Sequence, residues 1–330
     1  MTKQSRRVIL SSVLAVALAT SGAACSSSDK DDTSAKSANG LEKTTITVGA
    51  MPVTDDAPLQ IAVQQGLFKA EGLDVKLQTI TGGAEAIPKL KGGSLDISFG
   101  NFVSFLGANA KGALDVRFVA EGFQSAAGTH TIVVAKDSPI RSVKDLAGKK
   151  IAVNTKRNIS SLLIRATIEP SGIKLDDDKS FVEMPFPSME AALKNKSVDA
   201  VQVVEPFVTQ LQSALGARVL VDLSQGPTAD FPIAGYATTS DFATKNPKTI
   251  AAFQRGLSKA QAMASDHKIV QAILPSYTKI TAQVAATLSY GAFPTTLSAA
   301  RLQRVADVMQ RYGYLTDKVD VKSLIITGAP

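Results

Sequence analysis

The sequence is poor in cysteine and aromatic residues, and each shortage argues against a class of site. Its 330 residues include a single cysteine, Cys25, so a disulfide within the chain is impossible. A metal site would also lack the thiolate ligands that such sites commonly use. Aromatic residues make up only 5% of the chain, which leaves few platforms on which nucleic-acid bases could stack. We therefore predict no metal, no cofactor and no nucleic-acid partner.

Familiar catalytic signatures are missing as well. The sequence contains no GxSxG nucleophile elbow, no phosphate-binding P-loop and no GxGxxG dinucleotide motif. It has only two histidines, His130 and His267, and they are far apart in the sequence. These absences predict a protein that is not an enzyme.

The first 24 residues are typical of an export signal. Three basic residues precede an apolar run over residues 8–19, and small residues then lead to Cys25. Residues 5–10 resemble a twin-arginine signal, but an ordinary secretory signal fits equally well, so the export route stays open. Removing residues 1–24 takes away three basic residues and no acidic one, which lowers the net charge from +7 to +4. That charge is too small to indicate a nucleic-acid partner.

Cys25 is best explained as a lipid attachment site. Residues 22–25, Gly-Ala-Ala-Cys, resemble a bacterial lipobox, although Gly22 stands where that pattern prefers leucine. The residues that follow are mainly Ser, Asp, Lys and Ala without an apolar period, which predicts a disordered tether over residues 25–43. We therefore expect an exported protein that is lipid-anchored to the outer face of the cell membrane.

The mature chain begins with the pattern of a parallel α/β sheet. Residues 46–51, ITVGAM, are typical of a buried strand, and residues 58–65 have apolar positions at helical spacing after Pro58. Glycines follow at positions 66 and 72, where they can end helical turns. Residues 73–77, LDVKL, then alternate as a half-buried strand does. The order is that of a strand–helix–strand unit.

A twofold repeat predicts two such lobes. Three pairs of similar segments are separated by about 100 residues in the same order. Chance could produce a few of these matches in any α/β protein, but the chain is long enough for two hydrophobic cores. The paired segments are 46–51 with 150–155, 72–73 with 172–173, and 90–97 with 193–200.

The predicted fold class is therefore α/β, with two Rossmann-like lobes joined by two crossover segments. Lobe I is assigned to residues 44–128 and 236–330, and lobe II to residues 129–235. Helices starting near Asn246 and ending near Gly313 carry apolar stripes that should pack on lobe I. The predicted strands are 45–50, 73–79, 95–100, 116–121, 131–136, 150–154, 179–184, 199–204, 218–222 and 233–239.

Several linked motifs resemble the nitrate/sulfonate/taurine type of ABC-transporter substrate-binding protein. The resemblance runs in order from Thr44 to about Leu324 and rests mostly on scaffold residues. It implies a type II periplasmic-binding fold with a ligand cleft between the lobes, and a monomer that delivers a small solute to permease subunits in the membrane. The motifs are PLQIAVQQGLFKAEGLDVKL (58–77), LKGGSLDISFGN (90–101), VVAKDSPIRSVKDLAGKKIAV (133–153) and LKNKSVDAVQVVEP (193–206).

The cleft residues can also be predicted from topology. In open parallel sheets, ligands bind beyond the carboxyl ends of the strands, where helix N-termini offer free N–H groups. The crossover at residues 128–130 should lie near the hinge, with His130 as a hydrogen-bonding residue. The loops that meet these conditions contain the predicted ligand-binding residues Thr54, Asp55, Gly82, Gly83, Asn101, Thr129, Thr155, Arg157, Asn158 and Glu205.

Within this set, two hypotheses on ligand charge remain open. Arg157 could face Gly82–Gly83 across the cleft and hold an anionic group from both lobes. Asp55, Asp56 and Glu205 fit a bare anion less well, and would suit a ligand that also carries an amine or hydroxyls. The residue types alone do not identify the ligand.

Two other functional classes also remain open. Some enzymes share this fold: pyrimidine synthases of thiamine biosynthesis carry a cysteine-rich motif that this sequence lacks, and the related cytoplasmic lyases have no export signal. A lipid-anchored adhesin or sensor module would need a protein partner in place of transporter subunits.

Overall fold

The computed structural model describes residues 40–326, and the strands of this part form two mixed five-stranded sheets. Every predicted strand is present, with bounds within three residues of those expected. The strands are β1 Thr45–Ala50, β2 Asp74–Thr79, β3 Ile97–Asn101, β4 Val116–Gln124, β5 His130–Val134, β6 Ile151–Val153, β7 Phe181–Glu183, β8 Ala200–Val204, β9 Arg218–Asp222 and β10 Pro232–Thr239.

Helices follow most strands, as the sequence periodicity predicts. We call each sheet and the helices packed on it a lobe, numbered in chain order. The helices are α1 Ala57–Gln64, α2 Leu67–Ala70, α3 Gly83–Lys91, α4 Phe102–Ala110, α5 Ile159–Ile168, α6 Phe186–Lys194, α7 Phe207–Leu215, α8 Ser240–Lys245, α9 Pro247–Ala264, α10 His267–Ile273, α11 Ala282–Ala285 and α12 Ala299–Arg311.

The two sheets have the same arrangement of parallel and antiparallel strands, although the chain visits the antiparallel strand last in the first sheet and first in the second. The first has the order β2-β1-β3-β10-β4 and the second the order β7-β6-β8-β5-β9. In each sheet, the first three strands of the order are parallel. The fourth strand, β10 or β5, pairs antiparallel with the strand on each side of it. The repeat seen in the sequence is therefore a repeat of fold, and the predicted fold class is confirmed.

Within residues 40–326, the chain passes between the sheets twice. The first passage lies between β4 and β5, around the predicted boundary at residue 128. The second lies between β9 and β10, at residues 223–231, and corrects the boundary predicted at residue 235. Pro232 already pairs with Gln124, and Ala234 pairs with Asn101, so residues 232–235 belong to the first sheet.

The folded chain also begins earlier than predicted. Leu41 is buried. The Glu42 carboxylate accepts hydrogen bonds from the backbone N–H groups at the start of α9, and Lys43 Nζ lies 2.7 Å from Asp96 Oδ1. Residues 41–43 are thus fixed on the first lobe and are not part of a disordered tether. Cys25, the export signal and the tether up to residue 39 lie outside the described residues.

The apolar stripes predicted for the late helices are confirmed as core. Ile250, Phe253 and Leu257 of α9 are buried against α1 and α2. The Phe253 ring stacks on Phe68 with 5.0 Å between centroids, and it meets Tyr236 of β10 at 5.6 Å. Within residues 40–326, no helix combines the length and hydrophobicity that crossing a membrane requires.

Candidate functional site

A small cavity lies between the two lobes, beyond the carboxyl ends of their parallel strands. Its volume is about 40 Å³. Because a water molecule needs roughly 10–15 Å³ of such space, the cavity has room for about three or four heavy atoms. The lining residues are Met51, Val53, Asp55, Gly82, Phe99, Asn101, Ile233 and Ala234 from the first lobe, and His130, Asn154, Asn158, Ile159, Ser160, Phe186 and Val204 from the second.

Three helices have their N-cap residues on the wall of this cavity. Asn101 is the N-cap of α4, and its Oδ1 accepts a hydrogen bond of 2.8 Å from the Ser104 N–H. Asn158 is the N-cap of α5, and its Oδ1 accepts one of 3.0 Å from the Ser160 N–H. Gly82 is the N-cap of α3. The first N–H groups of a helix have no acceptor within it and carry partial positive charge, so the three helix ends favour an anion.

Gly82 is a point of close approach between the lobes. A Cβ atom at this position would lie 2.8 Å from Asn154 Oδ1. The Asn154 amide in turn donates a 3.1 Å hydrogen bond to the Thr81 carbonyl oxygen. Glycine therefore lets the start of α3 and the loop after β6 meet at the rim of the cavity.

The titratable groups on the cavity wall carry no positive charge at neutral pH. Neither lysine nor arginine occurs among the lining residues. Burial lowers the pKa of His130 to about 3, so its imidazole is neutral. Burial raises the pKa of the Asp55 carboxyl to about 7, a rise that a hydrogen bond from Thr54 opposes and the charge of Glu205 supports. The helix ends are therefore the main positive feature of the cavity.

The structure brings four of the predicted ligand-binding residues to the cavity: Asp55, Gly82, Asn101 and Asn158. The other six do not line it. Gly83 opens α3, and a Cβ there would meet Ser104. Thr54 Oγ1 lies 3.2 Å from the Glu205 carbonyl oxygen, and Thr129 Oγ1 donates to the Ala126 carbonyl oxygen at 2.7 Å, while Thr155 Oγ1 lies 3.3 Å from Asn154 Oδ1.

Arg157 is placed differently from the prediction. Its Nη1 lies 2.9 Å from Asp177 Oδ2, and its Nη2 donates to the Gly313 carbonyl oxygen at 2.8 Å. Its guanidinium also lies over the Tyr314 ring, 5.1 Å from the centroid. These partners hold the side chain away from Gly82–Gly83, so the structure shows no clamp between Arg157 and that glycine pair.

Several lining residues were missed from the sequence. Asn154 belongs to the predicted loop after β6, residues 154–158, and Ser160 follows that loop, so the rule that ligands bind at strand ends could have included both. Phe186 follows β7 at the start of α6 and offered the same signal. Phe99 and Ile233 carried no signal, because apolar residues within strands look alike whether they face a core or a cavity.

The sequence profile of the NMT1-like family matches residues 39–274. The chain belongs to the NMT1-like family. This NMT1-like chain is 29% identical over 253 residues to a protein of Escherichia coli named for the binding of aliphatic sulfonates, covering 74% of the chain and 76% of that relative. It is 25% identical over 246 residues to the nitrate/nitrite binding protein NrtA of Nostoc sp., covering 69% of the chain and 56% of NrtA. The resemblance to sulfonate- and nitrate-type substrate-binding proteins is confirmed.

Solved structures agree on the fold. The alkanesulfonate-binding protein SsuA of Xanthomonas axonopodis pv. citri, bound to MOPS, superposes with a TM-score of 0.73 at 20% identity, covering 86% of this NMT1-like chain and 98% of SsuA. The desulfurization enzyme DSZB shares the fold with a TM-score of 0.65 at 19% identity, covering 87% of the chain and 97% of DSZB. The fold thus occurs in both binding proteins and an enzyme, whereas the two sequence relatives above are named as binding proteins.

Proposed function

We propose that this protein is the extracytoplasmic solute-binding subunit of an ABC importer, and that it binds a small oxyanion without altering it. The observation that carries the proposal is the cavity at which three helix N-termini from both lobes meet. Partial positive charge and free N–H groups suit the oxygens of a sulfonate or nitrate. The names of the sequence relatives support the same ligand class.

Binding by both lobes explains how a solute could change the conformation of the protein. Residues 125–129 and 223–231 are the only two passages between the sheets within the described chain. Two direct contacts, Asn154 to Thr81 and Thr54 to Glu205, already join the lobes beside the cavity. A solute between the helix ends would add further bonds across the cleft and stabilise a closed form by hinge motion. We propose that the closed form docks on the permease.

A second, larger cavity favours a sulfonate over nitrate. It has a volume of about 780 Å³ and shares the Phe186 side chain with the small cavity as a common wall. Phe186 stacks with Phe207 at 5.5 Å between ring centroids, and Pro206 and Leu211 add apolar surface. A nitrate ion has no part that could occupy this space. An alkanesulfonate could place its charged group in the small cavity and its tail along Phe186.

The membrane attachment is a separate proposal from the sequence. Cys25 would carry the lipid anchor, and the following residues would tether a monomeric binding domain to the outer face of the membrane. Mass spectrometry of the protein extracted from membranes would test this. An unmodified Cys25, or a mature chain that begins elsewhere, would contradict it.

Calorimetry with an alkanesulfonate series tests the ligand class. Each methylene moved from water into apolar surroundings contributes about 0.8 kcal/mol, which is roughly fourfold in affinity. We therefore expect 1-butanesulfonate to bind more tightly than methanesulfonate, and nitrate to bind most weakly. 1-Butanol and butylammonium serve as uncharged and cationic controls and should not bind. Tighter binding of butylammonium than of 1-butanesulfonate would overturn the proposed function.

A further inference from the structure

Asp55 is an unexpected residue on the wall of an anion-binding cavity. It lies in the short 3₁₀ turn Thr54–Asp56 directly before α1, and only 5% of it is exposed. Its Oδ1 accepts a 3.1 Å hydrogen bond from the Thr54 hydroxyl. Its Oδ2 lies 3.9 Å from His130 Nε2 of the other lobe. An ionised carboxylate in this position would repel the oxyanion that the helix ends attract.

The groups around Asp55 do not neutralise its charge. The adjacent Asp56 is fully buried and accepts 2.9 Å hydrogen bonds from the Met51 N–H and the Tyr236 hydroxyl. Glu205 faces Asp55 from the second lobe. Tyr277, which donates to the Val53 carbonyl oxygen, packs near both aspartates and is uncharged. His130 is neutral, and across residues 40–326 no lysine or arginine forms an ion pair with Asp55.

We propose that Asp55 is a specificity-determining residue that donates a hydrogen bond to the oxyanion from its protonated carboxyl group, so that the solute binds the form of the protein in which Asp55 holds a proton. The proposal rests on the proposed function and adds a condition to it. A protonated carboxyl removes the repulsion and adds one donor to the backbone N–H groups and the asparagine side chains of the wall. It also disfavours solutes that carry a cation at this point, because the neutral form has no charge to pair with it.

The expected pH dependence has a definite sign. In the free protein the pKa of Asp55 is about 7, raised mainly by burial. A neighbouring anion raises this pKa further. Below pH 7 the carboxyl already holds its proton, and affinity should be constant. Above pH 7 binding must first take up a proton, so affinity should fall by up to about tenfold per pH unit.

Calorimetry with 1-butanesulfonate between pH 5.5 and 8.5 tests this inference, since the sulfonate itself stays ionised throughout. Wild type should bind roughly 30-fold more weakly at pH 8.5 than at pH 5.5. Heats measured in two buffers of different ionisation enthalpy should show uptake of nearly one proton at pH 8. Asp55→Asn keeps the shape and offers an N–H donor but cannot ionise. Its affinity should be independent of pH and should exceed that of wild type at pH 8.5.

Glu205→Gln serves as the matched control. Glu205 does not line the cavity, but its charge supports the raised pKa of Asp55. In this variant, affinity should still fall with pH as steeply as in wild type, but the fall should begin at a lower pH. The inference would be overturned if the affinity of wild type were independent of pH or rose with pH. It would also be overturned if the affinity of Asp55→Asn fell with pH as steeply as that of wild type. The proton count uses wild type alone and does not depend on the folding of any variant. If 1-butanesulfonate does not bind at any pH, both the proposed function and this inference are wrong. If it binds with an affinity that does not depend on pH, only this inference is wrong.

Discussion

Asn158→Asp is expected to weaken 1-butanesulfonate binding at neutral pH by about a hundredfold or more, with little change in thermal stability. Asn158 lines the cavity and caps α5 through its Oδ1. Aspartate caps a helix about as well as asparagine, so the local fold should persist. The N–H groups at the start of α5 favour the ionised form of the new carboxyl, unlike the surroundings of Asp55, so the substitution places a negative charge beside the bound oxyanion. Like charges brought together cost several kcal/mol. A loss of about 2.7 kcal/mol corresponds to a hundredfold.

Thr239→Asp is the matched control for this charge. Thr239 caps α8 by accepting a 3.1 Å hydrogen bond from the Phe242 N–H, and it lies outside the cavity. The same charge at a cap of the same kind should leave affinity within about twofold, because solvent and salt screen a charge that does not line the cavity. Equal losses in both variants would mean that net charge, and not the cavity, governs binding.

Arg301→Met is expected to lower the free energy of unfolding by about 3 kcal/mol. Arg301 on α12 pairs with Glu121 on β4, with 2.6 Å between Arg301 Nη2 and Glu121 Oε1. Glu121 is 1% exposed, so the substitution leaves a buried carboxylate without its partner. Breaking a buried pair costs roughly 3–5 kcal/mol, and the lower end applies because the Arg301 side chain is 33% exposed.

The double variant Glu121→Met/Arg301→Met provides the comparison for that loss. Replacing both partners by apolar side chains is often close to neutral. We expect denaturant unfolding to show most of the lost stability restored, with 1-butanesulfonate affinity unchanged in both variants. A double variant as unstable as Arg301→Met would show that the loss comes from packing on α12 and not from the unpaired charge.

Much of the fold follows from local pattern. Alternation in β2 and the helical period of α9 depend on neighbouring residues in the chain, so both were predicted from the sequence. The second passage between the sheets was misplaced because Ile233 to Tyr236 carry no mark of which sheet they join. Only their pairing with β3 and β4 decides it.

The site was predictable to the extent that topology determines it. Asn101 ends β3, and Asp55, Gly82 and Asn158 follow strand ends, which meet at one edge in parallel sheets. Arg157 also follows a strand end, yet its orientation is set by Asp177 and Gly313, which are remote in sequence. The role proposed for Asp55 likewise depends on burial between two lobes, which no local pattern records.

A crystal structure with 2-bromoethanesulfonate, with data collected at the bromine absorption edge, tests the central claim most directly. The account predicts sulfonate oxygens within about 2.7–3.2 Å of backbone N–H groups in the first turns of α3 and α5. It also predicts a bromine peak directed towards Phe186. A sulfonate held by Arg157 or by surface lysines, or a bromine peak outside the space between the lobes, would contradict it.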